Sequence, residues 1–274
     1  MCPVALGETK RPNMDQKTFE KIVKDCEPYA EQIETFGLYM LNEPLLDRQL
    51  AERIKYAKKY GIKNTQIATN VDLLTKDRIQ PLIESGLDEI ILSIESIYPE
   101  KHEKIRVGSD LSKVKENFDE LIRIKDRMAS KSPRIYVRML AFEKNPDSWK
   151  EYINYWQEKG ADHVIIVNLH NWGGVYEQFD RPLVGINVCN YLWTMMVIQS
   201  DGNVSLCCLD PSGEYSLGNV HTESLYDIWH GEKFKAVREQ FESKQLKKCL
   251  GCNWNPNEVI GMWDEKVDRL SIAP

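Results

Sequence analysis

Four cysteines carry the most specific chemistry in this sequence. Cys189, Cys207, Cys249 and Cys252 are spaced C-x17-C-x41-C-x2-C. The C-x2-C pair lets two thiolates reach one centre from a single turn, and the two upstream cysteines bring two more from elsewhere in the chain. Four thiolates suit a structural zinc ion or a [4Fe–4S] cluster, and the spacing does not separate the two. The bland reading is four buried thiols that ligate nothing. Cys208 adjoins Cys207, and neighbours on a strand face opposite ways, so Cys208 is read as a spectator. Cys26 falls in a helical pattern and is read as packing. Seven cysteines in all, five of them in the last third and with no export signal at the front, do not make a disulfide framework. The seventh, Cys2, opens "MCPVALGETKRPNMD", where the tail of a motif would sit.

Other candidates are placed by the elements that must carry them. Apolar runs that read as strands are "FGLYML" (36–41), "NTQIATN" (64–70), "DEIILSIES" (88–96), "RIYVRMLAF" (134–142) and "DHVIIVNL" (162–169). Helical patterns flank them: "DQKTFEKIVKDCEPYAEQIE", "LDRQLAERIKYAKKYG", "TKDRIQPLIESG", "SDLSKVKENFDELIRIKDRMAS" and "PDSWKEYINYWQEKG". Strands alternating with helices at this spacing predict βαβ units on a parallel sheet. Chemistry then collects at the carboxyl ends of the strands, which selects Asn42, Glu43, Thr69, Asn70, Ser93, Glu95, Arg138 and His170 to Trp172.

After about residue 180 the texture changes. "TMMVIQ" and "VSLCC" around "SDGN" predict a β-hairpin, "SLYDIWHGEKFKAVREQFESKQ" predicts a helix, and "KKCLGCNWN" follows. The chain therefore divides into 1–180 and a smaller cysteine-bearing domain, 181–274. Hydrophobic content of 42% and charge of 28% are those of a globular protein, and a net charge of −6 without a basic run argues against nucleic acid and membrane surfaces as partners. No apolar run is long enough to span a membrane, so a cytoplasmic location is the expectation. Gly173-Gly174 permits a tight turn; no phosphate-binding loop, dinucleotide fingerprint or H-E-x-x-H is present.

The second domain resembles the SPASM domain of radical SAM enzymes. The family pattern of Cys, about a dozen residues, Gly, four residues and Cys is met by Cys189, Gly202 and Cys207, and "DGNVSLCC", "LGNV", "SLYDIWHG" and "CLGC" are family phrases. With no cysteine after Cys252, the chain is similar to the shortened twitch variant, which has one auxiliary [4Fe–4S] cluster. The front resembles the end of the C-x3-C-x2-C motif for the catalytic cluster, with Cys2 as its third ligand. "LNEPLL" stands where the family's "GGEPLL"-like segment binds the amino group of S-adenosylmethionine, with Leu41 and Asn42 in place of glycines; the resemblance assigns that contact to Glu43. "ATN" with Asn70 and "ILSIES" with Ser93 match the next strands. Ser93 is assigned to the ribose or carboxylate of S-adenosylmethionine, and Arg138 in "VRML" to the carboxylate.

The resemblance implies a partial (β/α)6 barrel lacking its first strand, followed by a small α+β iron–sulfur domain. It also implies two [4Fe–4S] clusters, the catalytic one with an incomplete ligand set here, and S-adenosylmethionine, cleaved to a 5′-deoxyadenosyl radical that abstracts hydrogen. A small-molecule substrate (sugar or cyclitol) or a peptide is expected, with an external electron donor such as flavodoxin or ferredoxin. His170, at the end of the last strand, is the candidate for substrate contact or proton transfer. With Cys2 alone at the front, this 274-residue form is expected not to cleave S-adenosylmethionine. The contrasting reading is a non-catalytic zinc-binding or interaction module.

Overall fold

The computed structural model describes residues 12–142, 146–175, 185–256, 260–264 and 269–272. In chain order the elements are α1 (Gln16–Cys26), β1 (Phe36–Gly37), α2 (Leu50–Lys59), β2 (Thr65–Thr69), α3 (Lys76–Glu84), β3 (Glu89–Ser93), α4 (Pro99–Ile105), α5 (Leu111–Arg127), β4 (Arg134–Ala141), α6 (Pro146–Glu158) and β5 (His163–Asn168). There follow α7 (Gly185–Val188), α8 (Tyr191–Thr194), β6 (Val197–Ile198), β7 (Asn203–Ser205), β8 (Ser216–Asn219), α9 (Leu225–His230), α10 (Glu232–Glu242), α11 (Lys247–Leu250), β9 (Gly261–Asp264) and β10 (Arg269–Ile272). These residues group into two compact units that interleave along the chain. One holds the described residues of 29–168 and 259–274, the other those of 1–28 and 169–258, where the sequence reading places a single boundary at 180.

The first unit is built on a sheet of order β1-β2-β3-β4-β5-β9-β10, with β1 to β5 all parallel. This is the βαβ pattern of a partial barrel. The pleat sorts its residues. Ile67, Ile90, Leu92, Ile135, Val137, Val164 and Ile166 are buried in one core with Ile54, Ile79, Phe118, Tyr152 and Trp156 from the helices. The chain returns after residue 259, and β9 pairs antiparallel with β5. That return is absent from the sequence reading, because four-residue strands among polar neighbours give little periodicity.

The opposite face carries polar residues. Near the amino ends of its strands, Tyr39 donates to Gln66 at 2.6 Å, Gln66 to Glu89 at 2.5 Å and Tyr136 to Glu89 at 3.1 Å. His163 stacks on Tyr136 at 4.3 Å and touches Arg134. At the carboxyl end of β3, Ser93 lies in register beside Arg138, part-way along β4.

The second unit contains a three-stranded antiparallel sheet, β6-β7-β8, with α1, α9 and α10. The expected hairpin is β6-β7. Its turn requires Gly202, whose φ is +81° and where a Cβ would come within 2.8 Å of the His221 ring. The single helix expected over 224–245 is two, α9 and α10, divided at Gly231, where a Cβ would lie 2.7 Å from the Asp227 carbonyl oxygen. The unit's α1 is capped by Asp15, which accepts from Thr18 N at 2.9 Å, and it packs on α9, with Asp25 accepting from Leu225 N at 3.1 Å. Among the described residues no helix is long and apolar enough to cross a membrane.

Candidate functional site

In the barrel unit, Glu43 and Asn70 are brought together. Glu43 caps the short 3-10 turn Pro44–Leu46, and its carboxylate accepts from Leu45 N at 3.1 Å, from the Thr69 hydroxyl at 2.7 Å and from Asn70 N at 2.9 Å. The loop after β1 is thereby fastened to the carboxyl end of β2. A carboxylate offers about four acceptor positions, so three protein donors leave one for a ligand. The next residue, Val71, is fully buried at φ +74°, a region that β-branched residues avoid. It is held there by Asn117, which donates to its carbonyl at 2.9 Å, and by the Thr69 hydroxyl, which accepts its N–H at 3.1 Å. Asn70 accepts from Asp72 N at 3.2 Å, so its side chain shapes the same turn.

Ser93, 8% exposed, ends β3 beside Arg138 of β4. Among the described residues the Arg138 guanidinium has no carboxylate partner. Arg106, by contrast, binds Glu95 Oε1 at 2.6 Å, and Glu95 Oε2 accepts from Leu140 N at 2.9 Å. His102, fully buried, accepts from Glu95 N at 3.2 Å through Nδ1 and meets Ser109 at 3.2 Å through Nε2, while Ser109 donates to Asp72 at 2.7 Å. Burial holds the His102 imidazole below the usual histidine range, with Arg106 adding to the effect. This chain ties together the loops after β2 and β3 and the end of β4. Sequence reasoning missed it: His102, Arg106 and Ser109 lie in or beside α4, a helix too short and polar to register as a pattern.

The cysteine-bearing unit gathers the four predicted thiols. Three of them lie within electrostatic reach of other cysteines: Cys207 of its neighbour Cys208 first and then of Cys249 and Cys252, Cys249 of Cys252 and Cys189, and Cys252 of Cys189. Burial is the main cause that raises all four thiols, Cys249 to about 12. Two sulfurs already accept backbone N–H groups, Cys207 from Leu209 and Cys252 from Trp254, both at 3.4 Å. Four thiols without a histidine or carboxylate among them are a donor set that suits a [4Fe–4S] cluster, one thiolate to each iron. Cys2 lies outside the described residues.

The C-x2-C loop is braced by two asparagines. Asn171 donates to the Gly251 carbonyl at 2.7 Å and accepts from Gly174 N at 3.1 Å and from Asn253 N at 3.3 Å, while Asn253 accepts from Asn171 N at 2.8 Å. His170, read from sequence as a barrel-end residue, groups instead with the cysteine-bearing unit, its ring 4.8 Å from Trp172 and 5.1 Å from Trp254. Trp254 donates to the Tyr191 hydroxyl at 3.1 Å, and burial followed by Cys208 pushes that phenol up to about 12.

Two families match the sequence: "Radical SAM superfamily" over residues 1–126 and "SPASM: Iron-sulfur cluster-binding domain" over residues 189–253. The chain thus carries a radical SAM domain and an SPASM domain. The two matches imply S-adenosylmethionine and [4Fe–4S] clusters as its cofactors. It is similar to the tungsten-containing aldehyde ferredoxin oxidoreductase cofactor-modifying protein of Pyrococcus furiosus, 24% identical over 92% of this chain and 83% of that protein. It is equally similar, at 24%, to the S-adenosyl-L-methionine-dependent 2-deoxy-scyllo-inosamine dehydrogenase of Niallia circulans, over 98% of this chain and 91% of that one. Among solved structures, BtrN in complex with AdoMet and 2-DOIA matches with a TM-score of 0.60 and 19% identity, covering 98% of this chain and 91% of that one, a likeness of fold.

Proposed function

We propose that this protein is a radical SAM oxidoreductase that oxidises an alcohol of a sugar or cyclitol, with one auxiliary cluster held by Cys189, Cys207, Cys249 and Cys252 and with Cys2 as a ligand of the catalytic cluster. The observation that supports it best is the gathering of four half-buried thiols, with no histidine or carboxylate among them, in one unit. When bound, the clusters and S-adenosylmethionine supply the 5′-deoxyadenosyl radical that takes a substrate hydrogen, and the acceptor for the electron that substrate oxidation releases. An external donor such as flavodoxin or ferredoxin provides the reducing electron.

The chain's residues position and hold. Glu43, with one acceptor position left, receives the ammonium of S-adenosylmethionine on the rim that it fastens to Asn70. The unpaired Arg138 guanidinium holds the carboxylate, and Ser93 beside it donates to the same group or to the ribose. His170, in the cysteine-bearing unit, is assigned a substrate hydroxyl proton as its candidate role. Equilibrium dialysis of the reconstituted protein with S-adenosylmethionine, then with an aminocyclitol or a peptide, tests this reading. It predicts that S-adenosylmethionine binds, that Arg138→Ala raises its Kd about tenfold or more, the loss of a charged hydrogen bond of ~1.5–3 kcal/mol, and that the cyclitol binds in its presence. Binding of the peptide in place of the cyclitol overturns the substrate class, and an unchanged Kd in Arg138→Ala overturns that residue's role.

A further inference from the structure

Asn253 follows Cys252 directly and is fully buried. Its amide orientation is fixed by its partner: Oδ1 accepts from the backbone N–H of Asn171 at 2.8 Å, so the oxygen cannot be exchanged with the nitrogen without setting donor against donor. That leaves Nδ2 as the other end, and among the described residues it has no hydrogen-bond partner. Asn171, its counterpart in the brace, has both ends of its amide engaged, Nδ2 on the Gly251 carbonyl and Oδ1 on the N–H groups of Gly174 and Asn253. One asparagine of the pair is satisfied by the protein, and the other presents an orphaned NH2 group in the interior of the cysteine-bearing unit.

A buried, unpaired amide donor is costly, and native structures rarely keep one without a use. Among the described residues nothing beside Cys252 accepts from it. The bound cluster brings several acceptors, because sulfide and thiolate sulfurs accept hydrogen bonds, and the backbone N–H groups of Leu209 and Trp254 already point at two of the cysteine sulfurs. We propose that Asn253 Nδ2 donates a hydrogen bond to a sulfur of the auxiliary cluster and thereby sets its reduction potential. A donor at sulfur stabilises the more negative, reduced state, so it moves the midpoint upward. The effect favours a cluster that takes up an electron. The inference rests on the cluster assignment made above.

The test uses the full chain carrying Cys2→Ala, reconstituted anaerobically so that the only cluster is the auxiliary one, with asparagine labelled with 15N. Pulsed EPR of the reduced protein is expected to show hyperfine coupling to an asparagine side-chain nitrogen. Asn253→Asp keeps the oxygen that accepts from Asn171 and removes the donor; it is expected to abolish that coupling and to lower the midpoint measured by EPR-monitored titration. A loaded cluster without asparagine coupling, or a coupling that survives in Asn253→Asp, overturns the proposal and leaves the cluster assignment standing. A chain that takes up no iron and sulfide overturns both. The wild-type measurement decides the matter even where the variant fails to fold.

Discussion

The Glu43 carboxylate accepts the Thr69 hydroxyl at 2.7 Å, and through this contact a loop read from sequence as a cofactor-binding segment becomes a fixed part of the barrel rim. Three donors converge on the one side chain. Removing it leaves Leu45 N, Thr69 Oγ1 and Asn70 N to compete for water.

Glu43→Ala is expected to destabilise the fold by about 1–3 kcal/mol, and Thr69→Val by about 1 kcal/mol. The double variant should cost less than the sum, since each change already breaks the same contact. Urea unfolding of the three proteins measures the coupling; strict additivity would show that the contact carries no energy.

The His102 relay predicts a pH dependence. Burial lowers its imidazole from the ordinary 6.5, so the unfolded chain binds the proton more readily than the folded one. The stability that neutral His102 contributes is complete above 6.5 and is lost as pH falls from there toward the folded value. Denaturation midpoints between pH 5 and 8 should fall on the acid side in the wild type, and more shallowly in His102→Gln. Equal slopes would remove His102 from the account.

Gly202 is the next point of leverage. Gly202→Ala forces a side chain into φ +81° and against His221, and should destabilise the cysteine-bearing unit by about 1–3 kcal/mol. Iron retention under a chelator should fall with it. Gly108, at φ +90° with open space around it, is the control: there alanine meets strain but no clash, and the cost should be smaller.

The raised thiols predict how the site loads. Burial holds Cys189, Cys207, Cys249 and Cys252 in the protonated form at neutral pH, and ligation requires thiolates. Cluster assembly should therefore release protons and quicken as pH rises from 7 to 9, followed by absorbance in weakly buffered solution. An assembly rate independent of pH would contradict the burial of these thiols.

Much of this architecture is legible in the sequence because two strong signals coincide. Apolar runs such as "DEIILSIES" and "RIYVRMLAF" mark β3 and β4 between helices of clear period, and the strand register sets Ser93 beside Arg138. The cysteine spacing marks the second centre. What escapes is held by single hydrogen bonds rather than by periodicity. Asn171 and Asn253 are 82 positions apart and brace each other only once folded. His102 sits in a seven-residue helix. His170 follows the last parallel strand, yet packs with Trp172 and Trp254, because the adjoining NWGG turn, with Trp172 at φ +52°, redirects the chain. β9 and β10 rejoin the barrel sheet through backbone pairing, which side-chain patterns do not encode.

Cys189, Cys207, Cys249 and Cys252, as proposed above, hold one iron–sulfur cluster. The decisive experiment is anaerobic reconstitution of the Cys2→Ala chain followed by iron, sulfide and zinc analysis. Four irons and four sulfides per chain are expected, as a [4Fe–4S] cluster requires, lost in Cys249→Ala and in Cys252→Ala. One tightly bound zinc without sulfide, or a full iron complement that survives loss of these cysteines, would contradict that assignment.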